Sequence, residues 1–231
     1  MAPWRSLARL CGVNDGGAET EGCCFDEWAV NSAARARKRG FGAKITERIL
    51  RAVERQGLGG RTVLDVGCGA GDLALAAIDR GAARASGIDL SAGGIEEARR
   101  LAADRGLSDR AIFSVGDGAE ARLDRHDVVT LNRVLCCYPS VERLLQNSLG
   151  AAGSIYAYTA PVHTGVVGRF NRISVAISNG WFRLRARKFG GFQAFVHDLD
   201  RVDRTIASAG FQRVHRSRER VTWQLAVFTR G

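Results

Sequence analysis

The chain alternates between short apolar runs and longer segments in which apolar residues recur at helical spacing. The apolar runs predict five strands, over 61–66, 83–89, 111–115, 127–135 and 154–159. The segments between them predict helices over about 71–80, 91–105 and 140–149, the second with Ser91 as its N-cap. Strands that alternate with helices through short links are typical of a parallel sheet with helices on both faces.

The two ends of the chain and one internal segment depart from this rhythm. Residues 1–24 have no clear period and are expected to be poorly ordered, whereas 25–57 have the apolar spacing of a helical lead-in. Residues 163–195 contain no obvious strand and mix arginines with apolar residues, which favours an inserted helical cap. A helix over 198–209 and two strands, 211–218 and 221–229, follow it, and the strands are expected to form an antiparallel hairpin.

These elements together predict one domain. A length of 231 residues fits a single domain with a modest insertion. We therefore predict an α/β fold over 25–231, with a Rossmann-like, doubly wound, seven-stranded sheet. The sheet is mostly parallel, ends in an antiparallel C-terminal hairpin and carries a helical cap insertion.

Glycines at positions 67, 69 and 71 follow the first predicted strand, and Asp89 ends the second. Glycine lets a backbone pass close under a ligand, and the helix that follows offers free N–H groups. The Asp89 carboxylate can accept hydrogen bonds from the two hydroxyls of a ribose. A dinucleotide-binding turn would have its third glycine at position 72, where this chain has Asp72.

The segment Val63–Gly71 resembles motif I of the class I S-adenosylmethionine-dependent methyltransferases. The resemblance implies S-adenosylmethionine as cofactor, and it implies that Asp117, after the third strand, reaches its adenine or ribose. A turn aspartate that bonds its own backbone is the alternative for Asp117. Asp65 is expected to fix the glycine turn or to hold the ammonium group of the methionine part through water. Asn132 and Arg133, at the end of the fourth strand, are expected beside the methyl group or, alternatively, at a solvated sheet edge.

Most of the chain from Phe25 onward is also similar to the magnesium-protoporphyrin IX O-methyltransferase family. The similarity rests on four segments: Phe25–Trp28, Asn132–Pro139, Phe195–Asp198 and Thr222–Gln224. It implies esterification of a propionate carboxylate, with 163–195 roofing the acceptor, and it adds Arg39 to the cofactor site. The predicted cofactor-binding residues are Arg39, Asp65, Gly67, Cys68, Gly69, Gly71, Asp89, Leu90, Asp117, Gly118, Asn132 and Arg133.

The catalytic candidates are His197, Cys137 and Tyr138. Cys137 stands where the porphyrin family keeps a histidine near the reacting group. His197 and His163 are possible substitutes for that histidine, and His197 is favoured because its local motif matches and it borders the cap. A buried structural histidine is the alternative for each.

Composition adds an open question about charge. The formal net charge is +10, and 31 of the 34 basic residues are arginines. This bias fits either GC-rich coding or an anionic partner such as nucleic acid, a membrane surface or an acidic substrate. The six cysteines include no Cys-x-x-Cys pair, so we predict a reduced, cytoplasmic protein that holds no metal. No apolar run approaches a membrane span, and the first ten residues do not resemble a signal peptide.

One favoured function and three alternatives to it follow. We favour O-methylation of a small acidic, aromatic or tetrapyrrole-like molecule. An RNA methyltransferase would explain the charge, and a C- or N-methyltransferase of small molecules shares the same motifs. Asn132 is followed by Arg-Val-Leu rather than Pro-Pro-aromatic, which disfavours amino-group methylation of bases or glutamine. A non-catalytic or membrane-peripheral relative, with 163–195 on anionic lipid, is the third alternative.

Overall fold

A computed structural model describes residues 41–184 and 192–231. The lead-in residues Phe25, Trp28 and Arg39 lie outside the described residues. The first described helix, α1, spans Phe41–Glu54. It buries Ile45, Ile49, Leu50 and Val53, which recur at helical spacing, against the sheet.

The central elements follow the predicted alternation of strands and helices. In chain order they are β1 Thr62–Val66, α2 Asp72–Asp79, β2 Arg84–Asp89, α3 Ala92–Asp104, β3 Ala111–Val115, β4 His126–Asn132, a 3-10 turn Leu135–Cys137, α4 Glu142–Ala151 and β5 Ala152–Pro161. The chain then continues through α5 Gly165–Leu184, α6 Leu199–Ser208, β6 Gln212–Glu219 and β7 Trp223–Thr229.

The seven strands form one sheet in the order β3-β2-β1-β4-β5-β7-β6. Strands β1 to β5 pair in parallel, and β7 pairs antiparallel with both β5 and β6. This confirms the predicted Rossmann-like fold with its antiparallel C-terminal hairpin. The strand order reverses between β1 and β4, and the crevice at such a switch point is where ligands bind in open α/β sheets.

Two apolar clusters fill the two faces of the sheet. One packs α1, α2 and α3 against alternate residues of the parallel strands. The other packs α4, α6 and the 3-10 turn against the opposite face and contains Tyr156, Tyr158 and Phe228. Within the described ranges, no helix is both long and apolar enough to cross a lipid bilayer.

The fourth strand is shorter than predicted. The apolar run suggests a strand through Leu135, but β4 ends at Asn132 because Arg133 adopts a left-handed backbone with φ of 67°. The chain turns there, and Val134 and Leu135 become buried beneath the turn rather than extending the sheet. The prediction that Arg133 belongs to the strand is therefore wrong.

Candidate active site

The glycine turn lies at the carboxyl end of β1, next to the switch point. Gly67, Gly69 and Gly71 all have positive φ, between 54° and 77°. The N–H groups of Gly67 and Cys68 donate to the carbonyl of Ile88 at 2.7 and 3.1 Å, which fastens the turn to β2. L-residues with a side chain rarely adopt this backbone, so glycine is required for the shape of the turn.

The three glycines differ in what surrounds them. A Cβ at Gly67 would lie 2.3 Å from Val134 Cγ2, and a Cβ at Gly71 would lie 2.7 Å from Phe113 Cζ. A Cβ at Gly69 would have no atom within 4 Å. Gly67 and Gly71 are therefore packed against the protein, whereas Gly69 faces open space at the edge of the sheet. The turn over Gly67–Gly71, called the glycine cradle below, therefore fits a ligand that lies directly against the backbone.

Asp89 connects the glycine turn with the start of α3. Its Oδ2 accepts from the Gly69 N–H at 2.8 Å, and its Oδ1 accepts from the Ser91 N–H at 2.9 Å. Ser91 in turn caps α3 by accepting from the Gly94 N–H at 2.8 Å. A carboxylate oxygen can accept more than one hydrogen bond, so Asp89 has the chemistry that ribose hydroxyls require. The neighbouring Leu90 is buried.

Asp117 and Tyr138 meet at the rim of the same sheet edge. The Tyr138 hydroxyl donates to Asp117 Oδ1 at 2.7 Å, and the Ala119 N–H donates to the same oxygen at 2.8 Å. Burial, followed by the nearby Asp117 charge, raises the pKa of Tyr138 well above its usual value. The phenol therefore keeps its proton at neutral pH and acts as a donor that orients Asp117.

Gly118 and Cys68 are close-packed. A Cβ at Gly118 would lie 2.4 Å from Val66 Cγ1, and its carbonyl accepts from Asn147 Nδ2 at 2.9 Å. The Cys68 side chain is buried against Gly87, and burial raises the pKa of its thiol well above the usual value. Gly118 and Cys68 therefore contribute to the close packing under the glycine turn.

Asn132 bridges the site and α1. Its Nδ2 donates to Thr46 Oγ1 at 2.9 Å, and its Oδ1 accepts from Thr159 Oγ1 at 2.8 Å. The Arg133 N–H also donates to Thr159 Oγ1, at 2.9 Å. Burial lowers the pKa of the Arg133 guanidinium from its ordinary value, although the group is still charged at neutral pH. Sequence reasoning missed Thr46 and Thr159, because only the fold brings them to Asn132.

The turn after Arg133 carries two adjacent thiols. Cys136 and Cys137 both direct Sγ toward the Arg133 carbonyl, at 3.5 and 3.8 Å. A hydrogen bond with Cys136, followed by burial, raises the pKa of the Cys137 thiol well above its usual value. Cys137 is therefore a protonated thiol at neutral pH rather than a thiolate nucleophile.

His197 contacts this turn from the segment that follows the cap. Its Nε2 lies 2.9 Å from the Tyr138 carbonyl, which can only accept, so Nε2 carries the proton. Burial lowers the pKa of His197, and the ring is neutral near pH 7. The structure thus brings His197, Cys137 and Tyr138 together around one turn, and their catalytic roles stay predictions.

Two cavities lie between α4 and α6 rather than at the glycine turn. The smaller, of about 100 Å³, is lined by His197 together with Glu142, Leu145, Arg201 and Val202. The larger is an open cleft of about 610 Å³ that none of the predicted site residues lines. We place the site at the sheet edge, because the glycine cradle and its acidic residues meet there.

His163 lies outside this turn, next to Asp198 and Asp200. Its ligating atom and theirs lie within 4.8 Å of one another, which raises the question of a metal ion. The Leu199 N–H donates to His163 Nδ1 at 3.3 Å, so Nε2 is the protonated nitrogen and faces Asp198 Oδ1 at 3.2 Å. The imidazole can therefore donate to the carboxylates, and the three side chains also form a donor set suited to a metal ion, so the expectation that the chain holds no metal stays a prediction.

Asp65 is a fully buried carboxyl beneath the glycine turn, and its Oδ1 accepts from Thr130 Oγ1 at 2.7 Å. Burial raises its pKa to about 7. The folded state then holds a proton that the unfolded chain releases near pH 4, so stability falls as pH rises from about 4 to about 7.

We expect Asp65→Asn to remove this decline in stability and to make the protein more stable than the wild type at pH 8, by on the order of 1–3 kcal/mol. Urea unfolding at several pH values between 5 and 8 measures the effect. Asp127→Asn is the control: hydrogen bonds from Thr62 lower the pKa of Asp127, so its replacement should reduce stability and leave the pH slope between 5 and 8 as in the wild type. An Asp65→Asn protein with the pH slope of the wild type would contradict the assignment.

Comparison with known proteins agrees with the geometry. Residues 63–150 match the family model described as a methyltransferase domain. Ribosomal protein L11 methyltransferase of Yersinia pseudotuberculosis is 34% identical over 137 residues, which cover 57% of this chain and 46% of that protein. The chain thus spans about half the length of the curated relatives it matches.

Solved structures match over nearly the whole chain. Magnesium protoporphyrin IX methyltransferase from Synechocystis PCC 6803, crystallised with bound SAH, has a TM-score of 0.64 at 20% identity and covers 98% of this chain and 94% of that one. Geranyl diphosphate C-methyltransferase from Streptomyces coelicolor A3(2) has a TM-score of 0.65 at 14% identity and covers 100% and 98%. At these identities the likeness establishes the shared fold.

Proposed function

We propose that this chain, which carries a class I S-adenosylmethionine-dependent methyltransferase domain, methylates an oxygen atom of a small acidic or aromatic acceptor. A carboxylate of a tetrapyrrole-like molecule is the favoured acceptor. The observation that supports S-adenosylmethionine as cofactor is the glycine cradle. Of its three glycines, only Gly69 has open space around it, and the Gly69 N–H donates to Asp89.

The residues present fit S-adenosylmethionine. When bound, this group supplies a methyl already activated on a sulfonium. The cradle admits an adenosyl group against the Gly69 backbone, and the Asp89 carboxylate is a suitable acceptor for hydrogen bonds from the ribose hydroxyls. Asp117, whose Oδ1 accepts from the Tyr138 hydroxyl, would contact the adenine or ribose through Oδ2. The protein's main task is then to align the acceptor and exclude water.

The protonated states of Tyr138 and Cys137 favour an acceptor that needs no base. The Tyr138 phenol and the Cys137 thiol hold their protons, and the His197 Nε2–H is committed to the Tyr138 carbonyl. A carboxylate is ionised at neutral pH and attacks without proton removal, whereas a phenol or an amine benefits from a general base. Tyr138 and Cys137 are therefore not ready bases, which supports a carboxylate oxygen, and the neutral His197 ring is the one candidate of the three with a lone pair, on Nδ1, that could take a proton.

The extent of the structural likeness supports the same acceptor class. The Synechocystis enzyme matches 98% of this chain, so the likeness includes the region of α5 as well as the domain core. This is the segment expected to roof the acceptor.

Carbon methylation is the second candidate. The geranyl diphosphate C-methyltransferase from Streptomyces coelicolor matches the whole chain, which supports this candidate. That chemistry ends in loss of a proton from the substrate, for which only the neutral His197 ring could serve as a base among the three candidates. RNA and ribosomal protein acceptors remain further alternatives, the second because of the partial match to L11 methyltransferases.

A transfer assay with methyl-labelled S-adenosylmethionine tests the proposal. The acceptors are free porphyrin propionates, aromatic acids, geranyl diphosphate, RNA and ribosomal protein L11, with pre-esterified porphyrin as the matched control. We expect label only in the free acids, as a base-labile ester, and a rate that varies little between pH 6 and 9. Transfer to another acceptor class with none to any carboxylate would overturn the assignment.

A further inference from the structure

The long helix α5 exposes a continuous apolar stripe. Its members follow one another at intervals of three or four residues, so they share one face of the helix. Their exposed fractions run from 44% to 87%. The stripe consists of Val166, Phe170, Ile173, Ile177, Trp181 and Leu184.

The opposite face of α5 is anchored to the protein by small and polar residues. Gly168 packs so closely on the His163 backbone that a Cβ would lie 2.2 Å from its carbonyl carbon. Asn171 Nδ2 donates to the carbonyls of Val162 and Thr222 at 2.8 and 2.9 Å. These contacts fix the rotation of the helix and hold the apolar stripe outward. This is the reverse of the usual arrangement, in which the apolar face packs on the core.

The charge beside the stripe has one sign. The 20 residues of α5 contain three arginines and no Asp or Glu. Arg169, Arg172 and Arg183 are exposed and, at 100° per residue, lie along one flank of the stripe. An exposed apolar face with Trp, Phe and Leu and an adjoining row of arginines is the pattern of helices that lie in the interface of an anionic bilayer.

We propose that α5 binds the surface of a membrane that contains anionic lipid, with the stripe inserted among the acyl chains and the three arginines at the phosphate headgroups. This inference goes beyond the proposed function and does not depend on it. The helix lies in the surface and does not cross the bilayer, because its arginines interrupt the apolar length that a span requires.

The charge distribution disfavours two other occupants. A second copy of the chain would bring two rows of arginines together, which costs energy unless acidic groups intervene. A nucleic acid would meet the arginines but would leave the apolar stripe against a charged phosphate backbone. An anionic bilayer provides acyl chains for the apolar stripe and phosphate groups for the arginines.

The helix is also connected to the candidate site. Asn179 exchanges two hydrogen bonds with the Ala194 backbone, at 2.8 and 2.9 Å, and the next residue, Phe195, donates from its N–H to the Cys136 carbonyl at 2.8 Å. A membrane bound to α5 would therefore lie against a helix that is hydrogen-bonded to Ala194, and the next residue is hydrogen-bonded to the turn of Cys136 and Cys137. An acceptor dissolved in the bilayer could reach the site from this side.

Vesicle flotation of the 231-residue chain tests the proposal. The vesicles contain either phosphatidylcholine alone or phosphatidylcholine with about one third phosphatidylglycerol, at about 50 mM and about 500 mM NaCl. We expect binding to the anionic vesicles that weakens with salt. Phe170→Ser with Ile177→Ser, and Arg169→Gln with Arg172→Gln and Arg183→Gln, should each reduce the partition constant by about tenfold or more.

Matched controls separate the stripe from general hydrophobicity and charge. Ile112→Ser removes an apolar residue that is 59% exposed on β3, and Arg84→Gln with Arg122→Gln and Arg125→Gln removes the same charge elsewhere. Both should bind like the wild type, and thermal melting should show that all variants fold. No binding by the wild type, or equal binding by the stripe variant, would overturn the proposal. So would sedimentation showing a dimer that dissociates in the stripe variant without vesicle binding.

Discussion

Gly69→Ala is expected to weaken S-adenosylmethionine binding by about 10- to 100-fold while costing the fold only about 1–2 kcal/mol. The cost to the fold is that of a left-handed alanine at φ of 54°, since the added Cβ meets no protein atom within 4 Å. The cost to binding arises because the methyl group would occupy the space that we assign to the adenosyl group. Titration calorimetry and urea unfolding measure the two effects separately.

Gly106→Ala is the matched control for Gly69→Ala. Gly106 has φ of 66° and equally open surroundings, but it follows α3 far from the cradle in the chain. Its replacement should lower stability by the same amount and leave the affinity for S-adenosylmethionine unchanged. If Gly69→Ala binds as tightly as the control, the ligand does not lie against this part of the turn.

Gly71→Ala is expected to act on the fold, with a loss of about 2–5 kcal/mol in the free energy of unfolding. At φ of 77° the alanine is strained, and its Cβ would lie 2.7 Å from Phe113 Cζ and 3.0 Å from Ala98 Cβ. Phe113 and Ala98 are buried in the cluster beneath the sheet, so neither can move without disturbing the core. Chemical unfolding followed by circular dichroism measures the loss.

A second substitution shows whether the collision with Phe113 is the cause. Phe113→Leu removes the ring atoms that the new Cβ would meet. In a double-mutant cycle, Phe113→Leu should therefore cost less in the Gly71→Ala background than in the wild type, with a coupling of about 1 kcal/mol or more. Strictly additive effects would mean that backbone strain alone accounts for the loss.

The strand-turn-helix unit of the cradle could be predicted because its signals are local. The apolar run before Gly67 and the glycines themselves require a strand followed by a left-handed turn. Asp89 could be placed at the same sheet edge because parallel strands end together. The structure adds that Asp89 accepts the Gly69 N–H, a contact between residues 20 positions apart.

Other features depend on distant contacts and could not be predicted. The strand-like run through Val134 and Leu135 continues past Asn132, and only the left-handed Arg133 in the folded chain ends β4. Thr46 lies 86 residues from Asn132 and meets it only because α1 packs over the strand ends.

The sequence also did not predict which face of α5 packs against the protein. Its helical period predicts an apolar face, and the ordinary expectation is that this face packs inward. Gly168 and Asn171 reverse that expectation, because the first allows close approach and the second satisfies two backbone carbonyls at the anchored face. Neither effect has a signature in the spacing of apolar residues.

The position of α1 has a consequence for synthesis of the protein on the ribosome. Ile49 of α1 shares a buried cluster with Leu225 and Val227 of β7, and Arg48 forms an ion pair with Glu219 at the end of β6. Ordinary elongation rates separate Arg48 from Glu219 by about 10–35 s. During that interval the apolar face of α1 lacks the part of its packing surface that β7 provides. We expect a chaperone that binds nascent chains to bind this exposed face.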